Sequence, residues 1–483
     1  MASLDRVCTL RSVNPSIWAL RGHSLGVLLD RARDIRRKLA QGVEKPFQVV
    51  TDCQAGDLQA AGSPSCTFLR QVLAACTYPE LLGTGELPTD VCQRARCILQ
   101  ELDGSSIGSY NLTFLEGPLS RSVAGFLERR DGGLPCSPLD VMPCGPTCKA
   151  IADILNMLMD GEALLKTGVL LPAPGPPVLA EAVALVGGVE LRYQLDEERS
   201  WALDVDEVER ALKEGRARCR PKVLCVVNPG NPTGQVLSRE TMEGVILLAA
   251  RERLLLLADE AYQDLVFGPG CRFLSFRRVL LELGPPLAHS LQLISFASLS
   301  SGLAAECGLR AGFFDIVNVD RTLLSGLYNQ LTGMSVPPSL GLVAQRALSD
   351  PPGPQDPSYL RFAQEKQAVL RALAEKARLT EGVFNQAPGI RCNPVQGAVY
   401  SFPRISLPAR ALERAQALGL DPDFFFCQCL LEETGILVGP GCSFGQAPGT
   451  YHLRLSLAPP LKTLSRALRA VTLFYSSFVE ENS

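Results

Sequence analysis

Two rhythms of apolar and polar positions alternate between about residue 86 and residue 330. Short leucine-rich or β-branched runs, each the length of a buried strand, are separated by stretches whose apolar residues recur at helical spacing. The runs Gly168 to Leu171, Val189 to Tyr193, Val223 to Val227, Leu254 to Ala258, Leu293 to Ala297 and Gly312 to Ile316 predict strands of a mostly parallel sheet flanked by helices, an α/β layer. Ligands of such sheets collect where the strands end, so the loops after these runs are where chemistry is expected.

The stretch Ser349 to Ser358, SDPPGPQDPS, is too rich in proline and glycine to continue a helix or a strand and predicts a boundary. Beyond it, a helix through Glu365 to Thr380, a strand around Ala398 to Phe402, a helix around Phe424 to Glu433 and a strand around Tyr451 to Leu457 predict a smaller α+β unit. The expected division is an amino-terminal arm with part of the small domain over 1–85, a large domain over 86–345 and a small carboxyl-terminal domain over 346–483. A chain of 483 residues is long enough for this arrangement.

Composition adds mostly exclusions. A net charge of -3 lacks the basic excess of a nucleic-acid surface, and no apolar run reaches the length of a membrane span. The 17 cysteines are scattered without a CxxC pair and only three histidines occur, which argues for reduced thiols and against a zinc site. Arg6, Arg11 and Arg21 give the amino end a faint mitochondrial-presequence character, but an arm of a cytoplasmic protein is the expected reading.

The chemistry-bearing strings follow the strands. Asn228-Pro-Gly-Asn-Pro-Thr-Gly234 forces a tight turn after the strand ending at Val227, and Asp259-Glu-Ala-Tyr262 sets an acid and a phenol at the mouth of the next strand. Alone, Asp259 reads as a helix-capping acid. Together with TFLRQVLA (67–74), ERRDGG (128–133), NPVQGAVYSFP (393–403) and GTYH (449–452), these strings make the chain resemble the alanine aminotransferases of the class I, fold-type I aminotransferase family, nearly without gaps from Pro46 to Pro460.

That resemblance implies a fold-type I pyridoxal-phosphate transferase fold, a pyridoxal 5'-phosphate cofactor and exchange of an amino group between L-alanine and 2-oxoglutarate. It assigns Asp259 to the pyridinium nitrogen and Asn231 and Tyr262 to the ring's phenolic oxygen. It assigns Arg310 to the cofactor phosphate, with Ser298 in the same register, and Arg454 to the substrate's α-carboxylate. Buried beside the ring nitrogen, a carboxylate keeps it protonated, and a guanidinium offers a planar fork to phosphate or carboxylate. Tyr110 matches a tyrosine offered to the neighbouring subunit's phosphate, which implies a homodimer, with a heterodimer with a true aminotransferase as a further option.

Departures from the family gather at the same crevice. In Ser295 to Gly312, SFASLSSGLAAECGLRAG, Ser301 occupies the position of the lysine that tethers the cofactor and relays its proton. A serine offers neither amine nor base, and no lysine occurs between Lys222 and Lys366. The phosphate loop reads Gly145-Pro-Thr-Cys-Lys149, in which Cys148 holds a cofactor-binding position, Pro146 lacks an N–H and the charge of Lys149 offers partial compensation. Pro176 stands where a tyrosine would pack on the ring, and Gln54-Ala-Gly56-Asp57 replaces Asn-Ile-Gly-Asp on the substrate side, with Gly56 kept. The expected outcome is a pseudoenzyme that holds the cofactor weakly and without a covalent bond. The alternatives are an active transaminase and a non-catalytic partner of one. Gly439 to Gly445, GPGCSFG, has the wrong spacing for a dinucleotide loop.

Overall fold

The computed structural model describes residues 24–159, 165–334 and 336–483; Arg6, Arg11 and Arg21 lie outside the described residues. Its main sheet has seven strands, β1 (Val141–Cys144), β2 (Thr167–Ala173), β3 (Val189–Gln194), β4 (Arg220–Val227), β5 (Leu255–Asp259), β6 (Leu293–Ser298) and β7 (Gly312–Val317). Their spatial order is β1-β7-β6-β5-β4-β2-β3. The β3, β2, β4, β5 and β6 neighbours are parallel, and β7 runs antiparallel to both β6 and β1.

The leucine-rich runs become strands because both faces of the sheet are covered. Leu224, Val226, Leu256 and Ala258 enter one apolar cluster, while Val223, Cys225, Val227 and Leu257 enter the cluster on the opposite face. This is the two-residue alternation of a pleated strand. Strand β1 was not expected: its sequence, VMPC, carries a proline and is short, and it forms by pairing Met142 with Phe314 on β7.

Register fixes the location of the site. Val227 pairs with Asp259 and Asp259 with Phe296, while Ser298 and Cys144 both pair with Gly312. The carboxyl ends of β1, β4, β5 and β6 and the amino end of β7 therefore share one edge.

Two further clusters complete the molecule. Helix Ser24–Ala40 turns Leu28, Ala32 and Ile35 toward a core built with helices Pro422–Thr434 and Leu461–Glu481 and the short strand Leu453–Ser456, hereafter β8. Helix Thr67–Thr77 instead packs with helices Thr89–Glu101, Ser120–Arg130 and Ser339–Ser349. The long helix Tyr359–Asn385 touches both clusters, through Phe362 at one end and Leu373 and Phe384 farther on. Among the described residues no helix is long and apolar enough to cross a membrane.

Candidate active-site crevice

The turn after β4 is locked by its own side chains. The amide of Asn228 donates to the Leu274 carbonyl at 3.4 Å and its oxygen accepts from the Leu237 N–H at 3.0 Å. Gly234 has φ +72°, and its carbonyl accepts the N–H groups of Gln396 and Gly397, each at 2.9 Å. Gln396 in turn accepts from the Val236 N–H at 2.9 Å. The strings NPGNPTG and NPVQGAV thus form one clamp, which sets Asn231 at the sheet edge.

Beside it, half-buried Asp259 ends β5 with the Ala261 N–H on its carboxylate at 3.2 Å. Burial pushes its carboxyl up to about 6, and the Ala261 N–H offsets this only in part. Tyr262 has the hydroxyls of Tyr400 and Ser301 close to its own, and burial holds its phenol well above the ordinary value. The Tyr262 and Tyr400 rings meet edge to face at 6.3 Å.

Arg454, on β8, is buried and sandwiched, its guanidinium carbon lying 4.1 Å from the Tyr400 ring centre and 4.5 Å from that of Phe444. It donates to the side chain of Gln54 at 2.8 Å, to the Gln54 carbonyl at 3.1 Å and to the oxygen of Asn231 at 3.4 Å. Its Nε is buried without an acceptor among the described residues. Gly56 makes room for this assembly, since a Cβ there would stand 2.2 Å from the Tyr400 hydroxyl. Asn231, Tyr262, Ser301, Gly56 and Arg454 are therefore joined through Tyr400 and Gln54, with Asp259 three residues from Tyr262.

The loop after β6 carries the remaining expected residues. Ser298 Oγ accepts the Ser300 N–H at 3.2 Å, and Arg310, in the left-handed conformation at φ +50°, donates to the Cys307 carbonyl at 3.0 Å. Its guanidinium is solvent-exposed and free to take a further anion. Cys148 sits in the first turn of helix Thr147–Leu158, which begins after Pro146 with no side-chain cap. Lys149 behaves differently from the sequence expectation: it is ion-paired with Asp153 one turn along its own helix, so its charge is already engaged. Tyr110 is not brought to the crevice; it stands outward on its turn, 78% exposed.

Tyr400 and Phe444, the two walls of Arg454, were not singled out from sequence. Tyr400 lay inside the string NPVQGAVYSFP and Phe444 inside the glycine-rich 439–445 segment. What joins them to Arg454 is the pairing of Tyr400 with Ser456 and of Gly439 with Arg454, which a one-dimensional pattern does not encode.

The arrangement offers a carboxylate lacking a cationic partner, two hydrogen-bonding groups beside it, an exposed guanidinium near a helix start and a second, buried guanidinium. That donor set fits the ring, phosphate and substrate ends of pyridoxal phosphate chemistry, and residue 301 brings a hydroxyl to it. Among the described residues no group of histidines, cysteines and acids could hold a metal ion.

Comparison with known proteins agrees with the geometry. The sequence profile of the family "Aminotransferase class I and II" matches residues 80–471. Human alanine aminotransferase 1 is 48% identical over 478 residues, covering 99% of this chain and 96% of the relative, and bovine alanine aminotransferase 1 is 47% identical over 479 residues, covering 99% and 97%. Among solved structures, alanine aminotransferase from Pyrococcus furiosus superposes with a TM-score of 0.72 at 20% identity, covering 96% of this chain and 100% of that one, which shows the shared fold.

Proposed function

The chain belongs to the alanine aminotransferase family of class I and II aminotransferases, and from that premise we propose that it keeps the family's ligand-holding crevice while catalysis is lost or strongly impaired. Family and fold imply pyridoxal phosphate, which when bound supplies an electron sink for bond breaking at an amino acid's α-carbon. In this reading Asp259 faces the ring nitrogen and Asn231 and Tyr262 hold the phenolic oxygen. Arg310, Ser298 and the backbone N–H groups around Cys148 meet the phosphate, and Arg454, beside Gly56, orients the carboxylate of an amino or 2-oxo acid.

One observation carries the loss of catalysis: the residue matched to the tethering position is Ser301, whose hydroxyl lies close to that of Tyr262. A hydroxyl is a poor base near neutral pH, and positioned acid–base catalysis is typically worth about 10²- to 10⁴-fold. Weak, non-covalent cofactor binding follows from the same substitution. The decisive experiment mixes the purified protein with pyridoxal phosphate, reduces with borohydride and maps any labelled peptide, with L-alanine-dependent pyruvate formation assayed in parallel. The expected result is no label in residues 295–312 and no pyruvate above background; labelling near the crevice together with turnover overturns the reading.

A second reading, active transamination between L-alanine and 2-oxoglutarate, is favoured by the retained Asp259 and Arg454, and turnover in the same assay is its signature. The exposure of Tyr110 supports a homodimer in which that ring meets the partner subunit. Exchange into mixed dimers with an active aminotransferase would favour the role of a non-catalytic partner.

A further inference from the structure

The long helix Tyr359–Asn385 closes a cavity of about 380 Å³ at the seam between two apolar clusters. Leu58, Phe126, Leu303, Phe362, Val369 and Leu373 furnish its apolar wall. The cavity shares none of the crevice residues Asn231, Asp259, Tyr262, Ser301 and Arg454, yet Leu303 and Ala304 belong to the loop that carries Ser301. Its volume lies within the range of small-molecule sites, roughly 300–1,000 Å³.

On that helix Val369, Leu373 and Lys376 recur at helical spacing, so the apolar stripe ends in an ammonium. Lys376 is only 7% exposed, and its Nζ donates to the Ala458 carbonyl at 3.1 Å. No carboxylate among the described residues forms an ion pair with it. The acids in the cavity wall are otherwise engaged: Glu365 accepts from the Thr67 N–H at 2.9 Å and from Arg361 at 3.0 Å, and Asp264 accepts from the Leu303 N–H at 3.4 Å. A buried ammonium with one carbonyl acceptor has N–H groups to spare, and burying it without a counter-ion is costly. Desolvation accordingly pulls the Lys376 ammonium below its ordinary value. Lys366, exposed on the same helix, adds positive charge to the wall.

We propose that this cavity is a binding site for a small monocarboxylic acid with an apolar tail, its carboxylate on Lys376 and its tail against Leu373 and Val369. A ligand seated there also touches Leu303. The neighbouring Gly302 packs so closely that a Cβ would lie 3.1 Å from Asp264, so occupancy steadies the loop that carries Ser301. This site stands whether or not the crevice is catalytic.

The test is calorimetric titration of the full chain with octanoate, with octylamine and octanol as probes of the same length, and thermal melts alongside. Saturable binding of one octanoate per chain with a raised melting temperature is expected, with both other probes weaker by about tenfold or more. Lys376→Met should weaken octanoate by about tenfold or more. Ala372→Trp, placed at an exposed position of the cavity wall, should abolish binding by filling the space. Absence of saturable octanoate binding to the unmodified chain overturns the proposal, as does octylamine binding as tightly as octanoate. Should Lys376→Met not fold, undiminished octanoate affinity in Ala372→Trp overturns it by itself.

Discussion

Asp259 has no charged partner, so its protonation follows its burial. The ordinary carboxyl value of 3.8 is raised to about 6, which makes the side chain neutral below that pH and anionic above it. A protonated ring nitrogen is attracted only by the anion, so pyridoxal phosphate affinity should fall about tenfold between roughly pH 7 and pH 5. Asp259→Asn should bind weakly at both values; the ligand's own ionisations are common to both proteins and cancel in the ratio. Equilibrium dialysis measures this, and an identical pH profile in the variant would show that Asp259 does not face the ring. At Ser301 the expectation concerns sufficiency. Ser301→Lys should raise pyruvate formation by about 10²-fold or more by restoring a positioned amine, and Pro146→Gly on top should raise it further by freeing the start of helix Thr147–Leu158 to present N–H groups. Equal rates for the single and double variants would absolve Pro146.

At the level of elements, the clamp between the turn after β4 and the 393–403 segment is what holds Asn231 at the sheet edge. Gly234 is its most constrained member: φ is +72°, and a Cβ would stand 2.6 Å from Val395 and 3.1 Å from the Tyr400 carbonyl. Gly234→Ala should therefore destabilise the protein by about 2 kcal/mol or more, combining left-handed strain with crowding. Urea unfolding reads this directly, and a change below about 0.5 kcal/mol would mean the turn is free to relax. The same clamp shows what the sequence carried. Strands β2 and β4 to β7 were legible from their runs of buried, largely apolar residues and edge strand β3 from buried Leu191 and Tyr193 flanking exposed Arg192, as were the turn residues, whose glycines and prolines are dictated locally. Strand β1 was hidden because Pro143 contradicts strand propensity and only pairing with β7 overrides it. The walls of Arg454 were hidden for a related reason, since Tyr400 and Phe444 reach it across pairings with β8. The engagement of Lys149 with Asp153 lay within one helical turn and could have been read from their spacing.

Across the whole molecule, the ERRDGG string ends helix Ser120–Arg130 and anchors a buried charge network. Arg130 grips Asp131 through two bonds of 2.8 Å, Arg277 reaches the same carboxylate at 3.3 Å and Asp315 on β7 at 3.7 Å, and Glu260 accepts the Phe276 N–H at 2.7 Å. These arginines hold Asp131 below its ordinary value, whereas burial, only partly opposed by Arg130, pushes Glu260 up to about 8. For Glu260 the folded chain binds its proton more tightly than the unfolded chain, whose value is 4.5. Folding is therefore unpenalised by this group below about pH 4.5, loses stability as pH rises and bears the full cost only above about pH 8. A tenfold difference in proton affinity corresponds to about 1.4 kcal/mol, and the opposing shift of Asp131 acts at lower pH. Glu260→Gln keeps an acceptor for the Phe276 N–H and removes the titration, so its stability should exceed that of the unmodified chain near pH 8 by on the order of 2 kcal/mol and converge with it near pH 5. Urea unfolding at both pH values decides the matter: a stability difference independent of pH would mean that Glu260 stays ionised throughout, with the Arg130 guanidinium outweighing its burial.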